Sequence, residues 1–112
     1  MDPRAYRVSF HAGADADLAE IRGYTFAVSG LDHASRKFYA IAGRAEGLQS
    51  FPHRHEQIPL LPGDARVIRR LPVLKHYLIV YRVDDDIAEV TILGVFATRR
   101  HPRHLDDIVA RQ

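Results

Sequence analysis

The sequence contains no cysteine among its 112 residues. This absence excludes a disulfide framework and any metal site built on thiolates, and it agrees with a reducing cytosol. No apolar run approaches the roughly 20 residues that a membrane-spanning helix requires. The N-terminal segment 1–6 also lacks the basic start and the apolar stretch of a signal peptide. We therefore expect a cytoplasmic protein without disulfides or membrane spans.

The composition is that of a globular protein. Hydrophobic residues make up 46% of the chain, which is typical of a protein with a real core. The length suits one compact domain, so we predict a single domain over residues 1–112. A domain of this size buries only about 60–70% of its unfolded surface, so a partner that covers apolar surface would matter to its stability.

Positive charge is concentrated near the end of the chain. The formal net charge is +2, and residues 51–112 carry ten basic and eight acidic side chains. Four of those acids, at 84–86 and 89, lie in or beside one predicted turn, so the rest of this half is locally basic. The segment 96–104, Phe-Ala-Thr-Arg-Arg-His-Pro-Arg-His, is the most basic part. It indicates an anionic partner, with a merely solvated tail as the alternative.

Hydrophobic periodicity predicts a strand followed by two helices. Tyr6, Val8 and Phe10 alternate with polar residues within 5–11, which is typical of a half-buried strand. Two stripes at helical spacing follow, namely Ala14, Leu18, Ile21, Thr25 and Val28, and then Ala34, Phe38, Ile41, Ala45 and Leu48. Gly30 should end the first helix and Asp32 should cap the second. Two stripes of equal length joined by a turn predict a helical hairpin.

The second half is predicted to form a sheet. Prolines interrupt residues 50–63, which should be a loop. Strands are predicted at 65–71, 76–83 and 88–96, with an acidic turn at 84–86, and a short helix at 105–110. This order predicts an α+β fold, in which the helical hairpin packs on one face of an antiparallel sheet of about four strands.

Several short motifs follow one another in an order typical of one family. The first helix carries Asp17-Leu18, then Ile21 and Tyr24, and the second helix leads into Leu48-Gln-Ser-Phe-Pro52. The strands carry Arg69-Arg-Leu-Pro-Val73, Tyr77-Leu-Ile-Val-Tyr-Arg-Val83 and Ile92-Leu-Gly-Val-Phe96. In this order the motifs resemble those of ParE-type toxins in the RelE/ParE superfamily, from about residue 6 to residue 103.

The resemblance implies a toxin of a type II toxin–antitoxin system, which causes growth arrest and takes part in plasmid stabilization. Its partner would be a ParD-like antitoxin, with a ribbon–helix–helix domain, in a hetero-oligomer. The antitoxin tail is expected to lay a helix on the helical hairpin and to add a strand to the sheet. The expected antitoxin contacts are Leu18, Ile21, Phe38, Tyr77 and Tyr81. No cofactor is implied.

The superfamily contains two kinds of toxin, and the sequence favours one of them. ParE-like members inhibit DNA gyrase by binding it, and RelE-like members cut mRNA on the ribosome. The Asp-Leu-x-x-Ile-x-x-Tyr opening and the Leu-Pro-Val segment favour ParE. We therefore expect gyrase as the target, without catalysis by the toxin. The expected target-binding residues are Arg69, Lys75, Arg99, Arg100 and Arg103.

The alternative is a RelE-like, ribosome-dependent endoribonuclease. Metal-independent RNA cleavage needs cations for the phosphate and groups that transfer protons. Arg69 and Arg100 could supply the cations, and His101 and His104 the acid and base. The loop 51–64 has no lysine and no tyrosine follows Tyr81, which weighs against this alternative. A third possibility is a non-toxic relative that retains only antitoxin binding.

Two further groups have simple explanations. His53 and His55 lie two residues apart, but without a third ligand they are expected to be surface residues and not a metal site. The acidic residues 84–86 are expected to form a solvated hairpin tip. We therefore predict no metal site.

Overall fold

The computed structural model describes residues 5–112. Its elements follow the predicted order of a strand, two helices, three strands and a short helix. In chain order they are β1 (Arg7–Phe10), α1 (Ala12–Ser29), α2 (Leu31–Glu46), β2 (Arg69–Val73), β3 (Tyr77–Asp84), β4 (Glu89–Ala97) and α3 (Pro102–Val109). The expectation of no signal peptide falls largely on residues 1–4, outside the described residues. Within residues 5–112, no helix is long and apolar enough to cross a bilayer.

Helix α1 begins after His11, whose side chain accepts a hydrogen bond from the Gly13 N–H. Most of its predicted stripe faces the core, but Val28 is 65% exposed. The prediction for Val28 is wrong because this last turn of α1 lies at the tip of the hairpin, where Phe26 and Leu31 are exposed as well. The first four turns of α1 therefore pack against the core, and the tip of the hairpin exposes apolar side chains.

Gly30 alone connects the two helices. Its φ of 90° is a backbone conformation that glycine adopts without steric cost, as the predicted end of α1 requires. The same residue is the N-cap of α2, so the prediction that Asp32 caps this helix is wrong. Because the connection is so short, Asp32 falls within the first turn, where its charge still complements the helix dipole.

The four strands have the spatial order β1-β4-β3-β2. Strands β2, β3 and β4 form the predicted antiparallel meander, but β1 lies parallel to β4, with Val8 opposite Val90. The sheet is therefore mixed and not wholly antiparallel. The difference arises because α1, α2 and the segment 47–68 return the chain to the end of the sheet at which β1 begins, so β2 and β4 run in the direction of β1.

Strand β2 begins at Arg69, later than the predicted Ala65. The preceding residues are held by local contacts, since the Arg66 backbone and side chain both bond to the carboxylate of Asp64. The loop before β2 also contains two short 3-10 turns, Gly47–Gln49 and Pro52–Arg54, and otherwise runs without regular structure as predicted.

Both faces of the sheet are covered. The helical hairpin packs on one face in a core that includes Leu18, Ile41, Ile79 and Tyr81. On the other face lies a second cluster, formed by Ile68, Val80, Leu93, Phe96 and Ile108, which α3 and the loop before β2 cover. Only the first of these layers was predicted from the sequence.

A β-bulge in β4 adjusts the strand to the two layers. Val80 is opposite Gly94 and Tyr81 is opposite Ile92, so Leu93 is an extra residue without a partner on β3. As a result the alternation of faces shifts by one residue, so that Ile92 and Val95 both pack in the first core and Leu93 and Phe96 both pack in the second.

Candidate functional site

A pocket of about 370 Å³ opens between the helical hairpin and the end of the sheet. Helix α1, helix α2, the β2–β3 turn, strands β3 and β4, and residues 99–104, which we call the basic tail, all contribute to it. The lining residues are Asp17, Glu20, Ile21, Tyr24, Lys37, His76, Tyr77, Val95, Ala97, Arg99, Arg100 and His104. Predicted target-binding residues (Arg99 and Arg100) and predicted antitoxin contacts (Ile21 and Tyr77) thus meet in one site.

A buried carboxylate lies at the inner end of this pocket. The Asp17 side chain is 7% exposed, and its Oδ2 accepts the Val95 N–H at 3.0 Å and an Arg111 N–H at 2.8 Å. Arg111 also donates to the Leu93 carbonyl at 2.9 Å. The negative charge is therefore neutralised within the protein, and the pocket keeps the positive charge of its rim.

Lys37 and Tyr77 form one wall of the pocket. The Lys37 Nζ donates to the Tyr77 hydroxyl at 3.1 Å and lies 5.2 Å from the centre of its ring. Because Lys37 and Arg99 form no ion pair within residues 5–112, both charges remain available to an anionic group. The pocket combines these cations with apolar surface from Ile21 and Val95.

The basic tail continues from the pocket into a second, shallower hollow of about 290 Å³. Arg100, His101, Arg103, His104 and Asp107 line it. Arg100 pairs with Glu20 at 2.6 Å on the surface, whereas Arg99 and Arg103 are exposed. The tail therefore offers a basic surface that bridges two hollows.

Both histidines of the tail have structural contacts. His101 is the N-cap of α3, and its Nδ1 accepts the Arg103 N–H at 3.1 Å. His104 is largely buried against Phe96, and its Nε2 lies 3.8 Å from an oxygen of Asp17. These contacts account for both side chains without a catalytic role.

The remaining predicted target-binding residues lie elsewhere. Lys75 is exposed in the β2–β3 turn, with a φ of 67°, and does not line the pocket, although the next residue, His76, does. Arg69 lies on the edge strand β2 and donates to the His55 carbonyl at 2.7 Å. The five predicted target-binding residues therefore do not form one continuous site.

Arg69 belongs to a second basic cluster, formed with Arg44, Arg54 and His55. Burial, and then the positive charges of Arg54, Arg44 and Arg69, lower the pKa of His55 below its ordinary value of 6.5. Within the part of the chain that the structure describes, none of these three arginines pairs with a carboxylate. This cluster was not predicted from the sequence, although the alternation of His and Arg at 53–55 is a signal for it.

Two of the predicted antitoxin contacts are closed to a partner. Leu18 is buried in the core and Tyr81 is completely buried, with its hydroxyl donating to the Pro52 carbonyl at 2.6 Å. Burial raises the pKa of Tyr81 to about 12, although Arg69 and Arg54 act in the opposite direction. The prediction for these two residues is therefore corrected, since helix and strand periodicity alone cannot tell a core-facing side chain from a partner-facing one.

The other three predicted contacts, Ile21, Phe38 and Tyr77, are partly exposed and pack against the core. The helical hairpin also exposes five large apolar side chains, namely Tyr24, Phe26, Val28, Leu31 and Tyr39. We call these five residues the hairpin patch.

The described residues contain no group of three histidine, aspartate or glutamate side chains placed to hold a metal ion. His53 binds Asp85 instead, with 3.0 Å between its Nε2 and a carboxylate oxygen, and the Tyr6 hydroxyl donates to the same carboxylate. The acidic hairpin tip is therefore held by the loop before β2 and by Tyr6, which precedes β1, and is not simply solvated as we expected.

Comparison with family models supports the resemblance seen in the motifs. The model of the ParE toxin of type II toxin–antitoxin systems, the parDE systems, matches residues 8–102. By fold and by sequence the protein is a type II toxin of the RelE/ParE superfamily. Within that class, the chain belongs to the ParE toxin family.

Solved toxin structures share the fold. A chromosomal ParDE system from P. aeruginosa gives a TM-score of 0.69 at 20% identity, covering 84% of this chain and 97% of that one. The RelBE2 complex from Mycobacterium tuberculosis gives 0.60 at 24% identity, covering 86% and 97%. The archaeal RelE–RelB complex from Pyrococcus horikoshii OT3 gives 0.55 at 18% identity, covering 87% and 99%. Comparison with curated protein sequences gives no significant match.

Proposed function

We propose that this toxin inhibits DNA gyrase by binding it and that a ParD-like antitoxin neutralises it. The observation that carries the proposal is the match to the ParE model, which extends over residues 8–102 and so includes both helices and all of the strands β2, β3 and β4. The structural likeness to solved toxins supports the fold and does not distinguish between targets.

The basic tail supports a binding role. Arg99 and Arg103 are exposed, and neither pairs with a carboxylate of residues 5–112. His101 and His104, the proton-transfer groups that catalysis by the tail would need, are engaged in capping and packing. A surface with free guanidinium groups, on which both tail histidines already have structural contacts, suits recognition of an acidic partner surface better than chemistry.

The antitoxin would cover the hairpin patch. A partner helix laid on the hairpin would bury exposed apolar side chains that share a face of it, such as Tyr24 and Val28, which lie one helical turn apart. An acidic segment of the antitoxin could continue into the pocket beside Ile21 and Tyr77, where Lys37 and Arg99 supply the complementary charge.

The supercoiling activity of purified gyrase tests this proposal. The toxin should block supercoiling, and the double charge reversal Arg99→Glu with Arg103→Glu should weaken inhibition at least tenfold. Arg36→Glu reverses an exposed charge on α2 and serves as the control, with inhibition unchanged. Full supercoiling at saturating toxin would rule out gyrase as the target.

One observation favours the alternative, a ribosome-dependent endoribonuclease. His55 has a lowered pKa and lies among Arg44, Arg54 and Arg69, so a neutral imidazole stands beside cations that could hold a phosphate. In this alternative, Arg69 keeps its predicted role and His55 replaces His101 and His104 as the proton-transfer group.

Mapping of mRNA 5′ ends after toxin expression tests the alternative. The alternative is supported if the natural toxin and His101→Gln both cleave mRNA within translated codons and His55→Gln does not. Undisturbed 5′ ends during growth arrest would remove it. Harmless expression without an antitoxin would instead favour a relative that only binds antitoxin.

A further inference from the structure

Arg111 enters a narrow slot between the first turn of α1 and the bulge in β4. Its guanidinium donates to both carboxylate oxygens of Asp17, at 2.8 and 3.3 Å, and to the Leu93 carbonyl at 2.9 Å. Leu93 is the extra residue of the bulge, so its carbonyl lies outside the regular pairing of β4 with β3. The slot therefore presents three acceptors to one planar cation.

Two glycines form the walls of the slot. A Cβ atom placed on Gly13 would lie 2.6 Å from the Nε and Cζ of Arg111, and one placed on Gly94 would lie 2.6 Å from its Nη1. Neither glycine has a positive φ, so the backbone itself does not demand glycine at these positions. The missing side chains create space for the guanidinium.

The acceptors match a guanidinium better than an ammonium. A guanidinium is planar and donates in fixed directions, so it can bond to two carboxylate oxygens and a carbonyl at once. A lysine ammonium is a compact charge and could not span the same set. Asp17 is held in place by the Val95 N–H, so its carboxylate is oriented before the guanidinium binds.

We propose that Gly13, Asp17, Leu93 and Gly94 form a guanidinium-binding slot, and that Arg111 occupies it as a positioning residue for the C-terminal segment. Arg111 follows α3, whose Ile108 is buried against the sheet. Arg111 in the slot therefore fixes the C-terminal end of α3. The N-terminal end of α3 is capped by His101, so the position of the helix also sets the position of the basic tail. The inference concerns the chain itself and does not depend on which target the toxin binds.

Guanidinium ion can test the slot directly. In Arg111→Ala the slot is empty and the Asp17 carboxylate has lost its cation, so the whole protein should lose stability. Backbone amides of α3 should in addition exchange with solvent about tenfold faster relative to those of α2. Addition of about 20 mM guanidinium, far below the molar range that unfolds proteins, should fill the slot and raise the free energy of unfolding of Arg111→Ala. The same concentration of urea should not. Equal acceleration of exchange in α2 and α3, or no stabilisation of Arg111→Ala by guanidinium, would overturn the proposal.

A second pair of variants separates the slot from helix stability. Gly13→Ala places a methyl group where the guanidinium lies, whereas Gly23→Ala in the same helix meets nothing within 4 Å. Alanine favours a helix at either position. We expect Gly13→Ala to expel Arg111 and to accelerate exchange in α3 about tenfold, with no recovery on adding guanidinium, and Gly23→Ala to leave α3 unchanged. Equal exchange of α3 in the two variants would contradict the slot.

Discussion

Asp17 and Arg111 are 94 residues apart in the sequence, yet the Arg111 guanidinium donates to both carboxylate oxygens of Asp17, at 2.8 and 3.3 Å. The contact joins the helical hairpin on one face of the sheet to the C-terminal segment on the other. It also lies beside the pocket, because Asp17 is one of the lining residues. The pair thus links the fold to the candidate site.

Removal of the Asp17 carboxylate should destabilise the protein strongly. Asp17→Ala leaves the Val95 N–H without its acceptor and the largely buried Arg111 without its counter-charge, and breaking a buried ion pair in this way costs about 3–5 kcal/mol. Glu20→Ala breaks the exposed pair with Arg100 and should cost less than about 1 kcal/mol. Urea unfolding of both variants measures the difference, and equal losses would contradict the account.

The buried hydroxyl of Tyr81 should contribute to stability at neutral pH. Tyr81→Phe leaves the Pro52 carbonyl without its donor, and we expect a loss of about 1–2 kcal/mol in the free energy of unfolding. Urea denaturation of the two proteins at neutral pH measures this loss. An unchanged free energy of unfolding would show that the hydrogen bond contributes nothing.

The same side chain predicts a pH dependence. Its folded pKa of about 12 lies above the ordinary 10.0, so the native state favours the protonated phenol. This stabilisation is fully present below pH 10 and is lost as the pH rises from 10 towards 12. Between about pH 8 and about pH 11, the free energy of unfolding should fall more for the natural chain than for Tyr81→Phe. Parallel losses would contradict the raised pKa.

His55 predicts a pH dependence at the acid end. Its folded pKa lies below 6.5, so the unfolded chain binds the proton more readily, and the associated stability is present above pH 6.5 and is lost as the pH falls. Between about pH 8 and about pH 5.5, His55→Gln should lose less stability than the natural chain. Identical pH profiles for the two proteins would contradict the lowered pKa.

The hairpin patch should be the main apolar contact with the antitoxin. Leu31→Ser and Tyr39→Ser remove exposed side chains, so the fold should keep its stability while affinity for the co-expressed antitoxin falls about tenfold or more. Leu61→Ser changes an equally apolar and exposed residue in the loop before β2 and serves as the control. Titration calorimetry measures the affinity of each variant for the antitoxin. Equal affinities for Leu31→Ser, Tyr39→Ser and Leu61→Ser would contradict the assignment of the hairpin patch.

Local patterns predicted the elements of this fold well because each periodicity reports one face of one element. The α2 stripe that contains Ala34 and Ile41 is buried as predicted, and the alternation at Val8 predicted the strand β1. Local patterns could not predict the parallel pairing of β1 with β4, which depends on the path of residues 47–68. They also could not predict the second layer on the sheet, since that layer brings Ile108 against Leu93.

The site was predictable only in part, for the same reason. The basic tail is evident from composition, and it does line the two hollows through Arg100 and His104. The partner of Asp17 was not evident, because nothing in the sequence near residue 17 indicates a contact with Arg111. The burial of Tyr81 was also hidden, since its strand has apolar residues on both faces.

Inhibition of purified DNA gyrase is the most direct test of the proposed function. We expect the toxin to abolish supercoiling of relaxed plasmid at stoichiometric concentrations and the antitoxin to restore it. Arg99→Glu with Arg103→Glu should lose this inhibition while retaining the fold. Unimpaired supercoiling at saturating toxin would contradict the proposal. If expression of the same toxin in cells also arrests growth and cuts mRNA, its target is the ribosome.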